Sequence, residues 1–224
     1  MIRRIVMRIE WMAHACFKVT LDSGKVIVFD PYDESVGYKS AKIDADIVLV
    51  SHNHRDHACL KNICGDYKLI NSEGDFDVDG IKIRGIKSVG EKTDGDDKGT
   101  NRVYKVEAEG IKLLHLGDIG HIPDEDFVRQ VGDVDIMFVP VGGRYTVDGK
   151  EALEICKMFD PNIIIPMHYK TLFLELDLDT VFPFTDAAGT LYDRSHIVNS
   201  SFEITASNLK KRTRIIVMEA SMEE

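Results

Sequence analysis

Three of the chain's eight histidines fall within six residues, together with an aspartate: His52, His54, Asp56 and His57 in the stretch SHNHRDH. They follow the largely apolar run ADIVLV (residues 45–50), which reads as a buried strand. Residues two apart in extended chain project to the same side, so His52 and His54 can grip one ion together. A turn after Arg55 would carry Asp56 and His57 to a second position close by. Imidazole nitrogen suits zinc, and a mixed set of imidazole and carboxylate suits zinc, iron or manganese. The plain alternative is a histidine-rich surface loop, but a cluster set directly at the end of a buried strand favours a metal.

The stretch resembles the HxHxDH signature of the metallo-β-lactamase superfamily. Further matching pieces are HACF at 14–17, FDP at 29–31, HLGDIGH at 115–121, VPVGGRYT at 139–146 and IPMHYKT at 165–171. Their order and spacing are similar to a compact branch of zinc-dependent hydrolases related to the ascorbate-phosphate lactonases. The resemblance implies an α/β (α+β) fold, a four-layer αββα sandwich with metals along one edge of two sheets. It implies His52 and His54 on a first metal, Asp56, His57 and His168 on a second, and Asp118 bridging both. Asp56 and Asp118 are then the catalytic carboxylates. Water between two such cations loses a proton near neutral pH. The expected reaction is attack of a metal-bound hydroxide on an ester, lactone, amide or phosphoester of a small metabolite, an anionic one included. A metal-binding sensor or scaffold without turnover is the alternative function.

One part of that pattern is missing. The resemblance calls for a third histidine on the first metal, between the cluster and the GD motif, yet no histidine occurs from Ala58 to Leu114. Thr93 stands near the expected place, in VGEKTDGDDKGTN, with Asp94 and Asn101 present. Glu91 or Asp94 could replace the imidazole and give a harder site. Otherwise the first ion binds weakly beside a working second site, so that one or two zinc ions, or manganese or iron, are expected.

Asp30 and His14 are expected to support the ligands, Asp30 by hydrogen-bonding a metal-bound imidazole. Gly143, Arg144 and Tyr145 are candidate substrate-binding residues: the glycine pair lets backbone approach a ligand, Arg144 could hold an anion, and Tyr145 could donate to an oxyanion. His115 receives no role, and His196 reads as a surface residue.

The elements that must position these groups are many short β-branched runs with few helices between them. LDSGKV at 21–26 and AEGIK at 108–112 read as hairpin turns. Helices are predicted over DEDFVRQVG and over DGKEALEICKMFDP, which stops at Pro161, with a further short one at 58–64. Residues 183–200 read as irregular. Strands first and helices later suit a two-sheet sandwich, taken as a single domain over residues 1–224. A net charge of −10 over 224 residues argues against nucleic acid or an anionic membrane as partner. The partner is therefore expected to be a small molecule. Four cysteines without paired spacing, and no signal or spanning segment, point to a cytoplasmic protein.

Overall fold

A computed structural model describes residues 5–90, 99–209 and 212–221. Among the described residues the chain forms sixteen strands. The first eight are β1 (Met7–Ala13), β2 (Cys16–Thr20), β3 (Val26–Phe29), β4 (Ile43–Asp44), β5 (Ile47–Leu49), β6 (Ile63–Cys64), β7 (Lys68–Ile70) and β8 (Gly74–Val78). They are followed by β9 (Ile81–Val89), β10 (Thr100–Ala108), β11 (Ile111–His115), β12 (Ile136–Pro140), β13 (Ile163–Met167), β14 (Asp193–Ile197), β15 (Ser201–Ile204) and β16 (Arg214–Met218). Three helices are α1 (Glu125–Val131), α2 (Gly149–Phe159) and α3 (Phe182–Ala188).

Two sheets stack. One has six strands in the order β15-β1-β2-β3-β5-β7, the other eight in the order β14-β16-β13-β12-β11-β10-β9-β8. Their facing sides meet in a core where Phe17 of β2 packs 4.3 Å, centroid to centroid, from Phe138 of β12. Tyr104 of β10 reaches across the same space and donates to the carbonyls of Val50 and Ile70, both at 3.0 Å. β9 alternates buried Ile81 and Ile83 with exposed Lys82 and Arg84, the pattern of a sheet with one wet face. β12 and β13 are parallel neighbours buried throughout, as strands covered on both faces must be.

The cover on that second face is helical. α2 packs against β12, α1 and α3. It begins with a capping box in which Asp148 accepts from the Glu151 amide and the Glu151 carboxylate accepts from the Asp148 amide. It ends on Asp160 in a left-handed conformation just before Pro161. The outer face of the six-stranded sheet is covered differently. Val28 and Val48 pack there with Tyr32, Val36, Tyr38, Leu174 and Leu178. These come from extended chain and a single 3-10 turn, Glu34–Val36, so that layer of the sandwich is thin.

Two local expectations fail. Residues 58–64 form turns and the short strand β6, which pairs in parallel with β4. Seven residues are too few to hold a helix without tertiary help, and here the Cys59 amide bonds to the Pro31 carbonyl instead. Residues 183–200, expected to be irregular, contain most of α3 and all of β14. His196 accordingly lies on a regular strand, although it is exposed as expected. The hairpin turns expected within 21–26 and 108–112 form between β2 and β3 and between β10 and β11.

Candidate metal centre

The site is assembled from chain segments that leave strands at one edge of the sandwich. β5 ends at Leu49, and the chain then turns so that the carbonyl of His54 accepts from the amides of both His57 and Ala58. Beyond β11, Asp118 follows Gly117, whose φ is +54°. A Cβ on Gly117 would lie 2.3 Å from Asn101 Oδ1, so only glycine fits. Asn101 fixes the turn: its Oδ1 accepts from the Asp118 amide at 3.0 Å, and its Nδ2 donates to Ser88 Oγ and the Leu116 carbonyl. His168 follows β13 with φ +51°, and His14 sits in the β1–β2 turn with φ +53°. The His14 carbonyl joins these distant segments. It accepts from the His168 amide at 3.1 Å and from Trp11 Nε1 at 3.0 Å.

These segments bring two groups of ligand atoms together: His14, Asp56, His57 and His168 in one, His52, His57 and Asp118 in the other. Asp118 Oδ2 lies 3.2 Å from Nε2 of His57, 3.2 Å from Nε2 of His168 and 3.8 Å from Nε2 of His52. Asp56 Oδ2 lies 3.6 Å from His57 Nε2 and 3.2 Å from His14 Nε2. Ligand atoms around a tetrahedral ion with bonds of about 2.1 Å stand about 3.4 Å apart. The observed spacings match that edge. Moreover, His52 Nε2 and His57 Nε2, the two nitrogens that face Asp118 Oδ2 from the histidine cluster, are buried without hydrogen-bond partners. Buried polar atoms are rarely left so, and imidazole nitrogens gathered on a buried carboxylate make a fitting site for a cation.

Hydrogen bonds fix the tautomers. The Asp30 carboxylate accepts from the Ser51 amide (2.7 Å), Ser51 Oγ (2.6 Å) and His57 Nδ1 (2.9 Å). Burial would raise the Asp30 pKa, but the His57 hydrogen bond and the neighbouring histidines bring it below its ordinary value. Asp30 is thus an acceptor only, and it leaves Nε2 of His57 facing Asp118. Burial lowers the pKa of His52 to about 4, reinforced by His57, and that of His14 to about 4, reinforced by His168. Both rings are neutral at pH 7 and have a lone pair to give. For His57, burial acts downward, yet Asp118 and Asp30 outweigh it and push its pKa well above the ordinary value. For Asp118, burial acts upward, and His168 and His57 reverse it to hold the carboxyl well below its ordinary range.

Among the residues singled out from the sequence, His52, Asp56, His57, Asp118 and His168 converge, with Asp30 directly behind them. His14, expected as a support, stands within the first group itself. His54 joins neither group; it is exposed, its ring edge-on to that of His52 with centroids 4.7 Å apart. Thr93, Glu91 and Asp94 lie outside the described residues. Arg144 is exposed, pairs with Asp177 and lies over the ring of Tyr145. Gly143, with φ +63°, accepts at its carbonyl from the Tyr145 amide in the same turn. His115 belongs to the core: its Nε2 bonds the Ala15 carbonyl and its ring stacks on Phe29. Ser51 had no signal in the sequence beyond being a polar residue at the end of an apolar run, yet it touches both Asp30 and His52. A cleft of about 210 Å³ beside the centre is lined by His52, Asn53, His54, Thr100, Asn101 and Asp118, with Gly90 and Gly99.

Comparison with known proteins agrees with this architecture. The beta-lactamase superfamily domain model matches residues 8–168. A UPF0173 metal-dependent hydrolase of Thermoplasma volcanium is 30% identical over 190 residues, 73% of this chain and 84% of its own length. A UPF0173 protein of Pyrococcus furiosus is 33% identical over 189 residues, 74% of this chain and 84% of its own. Among solved structures, a Thermotoga maritima protein assigned to the Zn-dependent hydrolases of the metallo-beta-lactamase superfamily superposes with a TM-score of 0.78 at 35% identity. The match covers 96% of this chain and 100% of that one. The chain belongs to the beta-lactamase superfamily and, within it, to the UPF0173 metal-dependent hydrolases.

Proposed function

We propose that the chain is a cytoplasmic, single-domain hydrolase of a small ester, lactone or phosphoester, dependent on zinc held at the histidine–aspartate cluster. The observation that carries this reading is the gathering of His52, His57 and His168 Nε2 within 3.8 Å of the buried Asp118 Oδ2, with the first two nitrogens left without hydrogen-bond partners. Imidazoles mixed with carboxylates suit zinc, and also manganese or iron. Asp56, His57, His168 and Asp118 are the proposed ligands of the tighter position, and His52 with Asp118 those of a second, weaker one. A divalent ion held there supplies Lewis acidity and lowers the pKa of water.

The chain's own residues do the rest. Asp30 orients His57 through Nδ1, and Asn101 sets the backbone of Asp118, so both side chains are in place before substrate arrives. Asp56 and Asp118 are both ionised at neutral pH, so each offers a charged oxygen to the ion and to the charge that develops around it. The cleft beside His52 is sized for a small molecule, and the net charge of −10 disfavours nucleic acid. Among the described residues no helix is long and apolar enough to cross a membrane.

The test is hydrolysis of generic esters, lactones and phosphodiesters by protein of graded zinc content. The rate should scale with metal and disappear on chelation. Stoichiometric metal with no turnover on any of these would favour a sensor or scaffold instead.

A further inference from the structure

Ser51 is wholly buried, and its hydroxyl lies 2.6 Å from Asp30 Oδ2 and 2.9 Å from His52 Nδ1. A hydroxyl has one proton. The Asp30 carboxylate accepts both the Ser51 amide and the Ser51 hydroxyl, so the Ser51 proton points to Asp30. The remaining contact then has one solution: His52 Nδ1 carries the hydrogen and donates to Ser51 Oγ. Its Nε2 is left as a bare lone pair, buried and unpartnered, facing Asp118 Oδ2 at 3.8 Å. The same Asp30 oxygen accepts from His57 Nδ1 at 2.9 Å. One carboxylate oxygen therefore anchors imidazoles of both ligand groups, His57 directly and His52 through a single hydroxyl.

We propose that Ser51 is a positioning residue for the centre: it locks His52 as the Nδ1–H tautomer and ties it to Asp30, so that the two ligand groups share one anchor. The proposal rests on the reading of the cluster as a metal centre, but its first consequence is visible without metal. Removing the hydroxyl leaves Asp30 with the Ser51 amide and His57, so His57 stays oriented while His52 is released. Ser51→Ala deletes one atom from a position where nothing else depends on it. The effect should fall on the ion at His52 and spare the one at His57 and His168.

Two measurements decide this. In nitrogen-15 histidine spectra of metal-free protein at neutral pH, His52 should show the Nδ1–H tautomer, and in S51A a mixture of tautomers. Zinc titration of the same proteins should show the weaker ion losing about 10–100-fold in affinity, the range expected for a supporting partner of a ligand, with the tighter ion unchanged. An Nε2–H tautomer in the wild type, or S51A indistinguishable from it in both measurements, would overturn the proposal. Wild-type protein that takes up no zinc would sink the metal reading itself, while the tautomer spectra would still decide the role of Ser51.

Discussion

Asp118 Oδ2 lies within 3.8 Å of nitrogens from three histidines, His57, His168 and His52, so losing it removes the carboxylate that ring nitrogens of both groups face. Asp118→Ala should lower bound zinc by more than the roughly 10–100-fold expected for a supporting residue, and by more than His14→Ala does. Elemental analysis of purified variants checks the order, and equal small losses would mean that Asp118 is not a ligand. His57 adds a pH dependence. In metal-free protein Asp118 and Asp30 raise its pKa well above 6.5 against the effect of burial, so it is protonated at pH 7. An ion at Nε2 must expel that proton. Zinc uptake near neutral pH should therefore release a proton, and affinity should rise with pH until His57 is neutral unaided. Calorimetry in buffers of different ionisation heat measures the release directly; uptake without it contradicts the arrangement. Histidine and aspartate at strand ends were legible in the sequence because their types and spacing carry the chemistry. Ser51 was not, since a buried serine acquires its meaning only from what it touches.

Elements place these residues through close backbone approach. Gly142, directly after β12 and Val141, packs on the His168 segment so tightly that a Cβ would lie 2.2 Å from the His168 carbonyl oxygen. Backbone cannot yield as a flexible side chain can. Gly142→Ala should destabilise the fold by about 1–3 kcal/mol, as overpacking does, and should also weaken zinc binding by moving His168. Urea unfolding and zinc titration of the variant check both effects; an unchanged affinity would show that His168 tolerates the shift. The hairpins, α1 and α2 were legible because turn residues, caps and apolar spacing agreed. α3 and β14 were hidden for opposite reasons. α3 is seven residues long with Pro183 in its first turn and no side-chain cap, whereas β14, DRSHI, is polar and largely exposed and so lacks alternation. The 58–64 segment reads as helix in the sequence, but the Cys59 amide and the Asn62 and Cys64 carbonyls bond to residues distant in sequence.

At the scale of the molecule, one apolar cluster runs through both sheets and under the helices, from Met7 of β1 to Met218 of β16. The proposed ligands come from segments as far apart in sequence as His52 after β5 and His168 after β13, so an ion held there would tie together the two sheets that carry them. Zinc at 100 times its dissociation constant should add about 2.7 kcal/mol of stability. At about 2–4 °C per kcal/mol for a chain of this size, chelation should lower the melting midpoint by about 5–10 °C while the melt keeps a single transition. Two separate transitions would argue against one domain. The two-sheet architecture was legible from the order of strands and helices together with the motif series. The thin cover of the six-stranded sheet was not, because irregular chain such as 31–42 and 171–178 acquires its place only from the surface it packs on.

The most direct measurement is an anomalous-difference map at the zinc edge, from crystals of protein loaded with zinc and freed of excess. The account predicts a strong peak enclosed by Asp56, His57, His168 and Asp118, with a weaker peak or none beside His52. No peak among these four residues, or a full one placed only at His52 and His54, would contradict it.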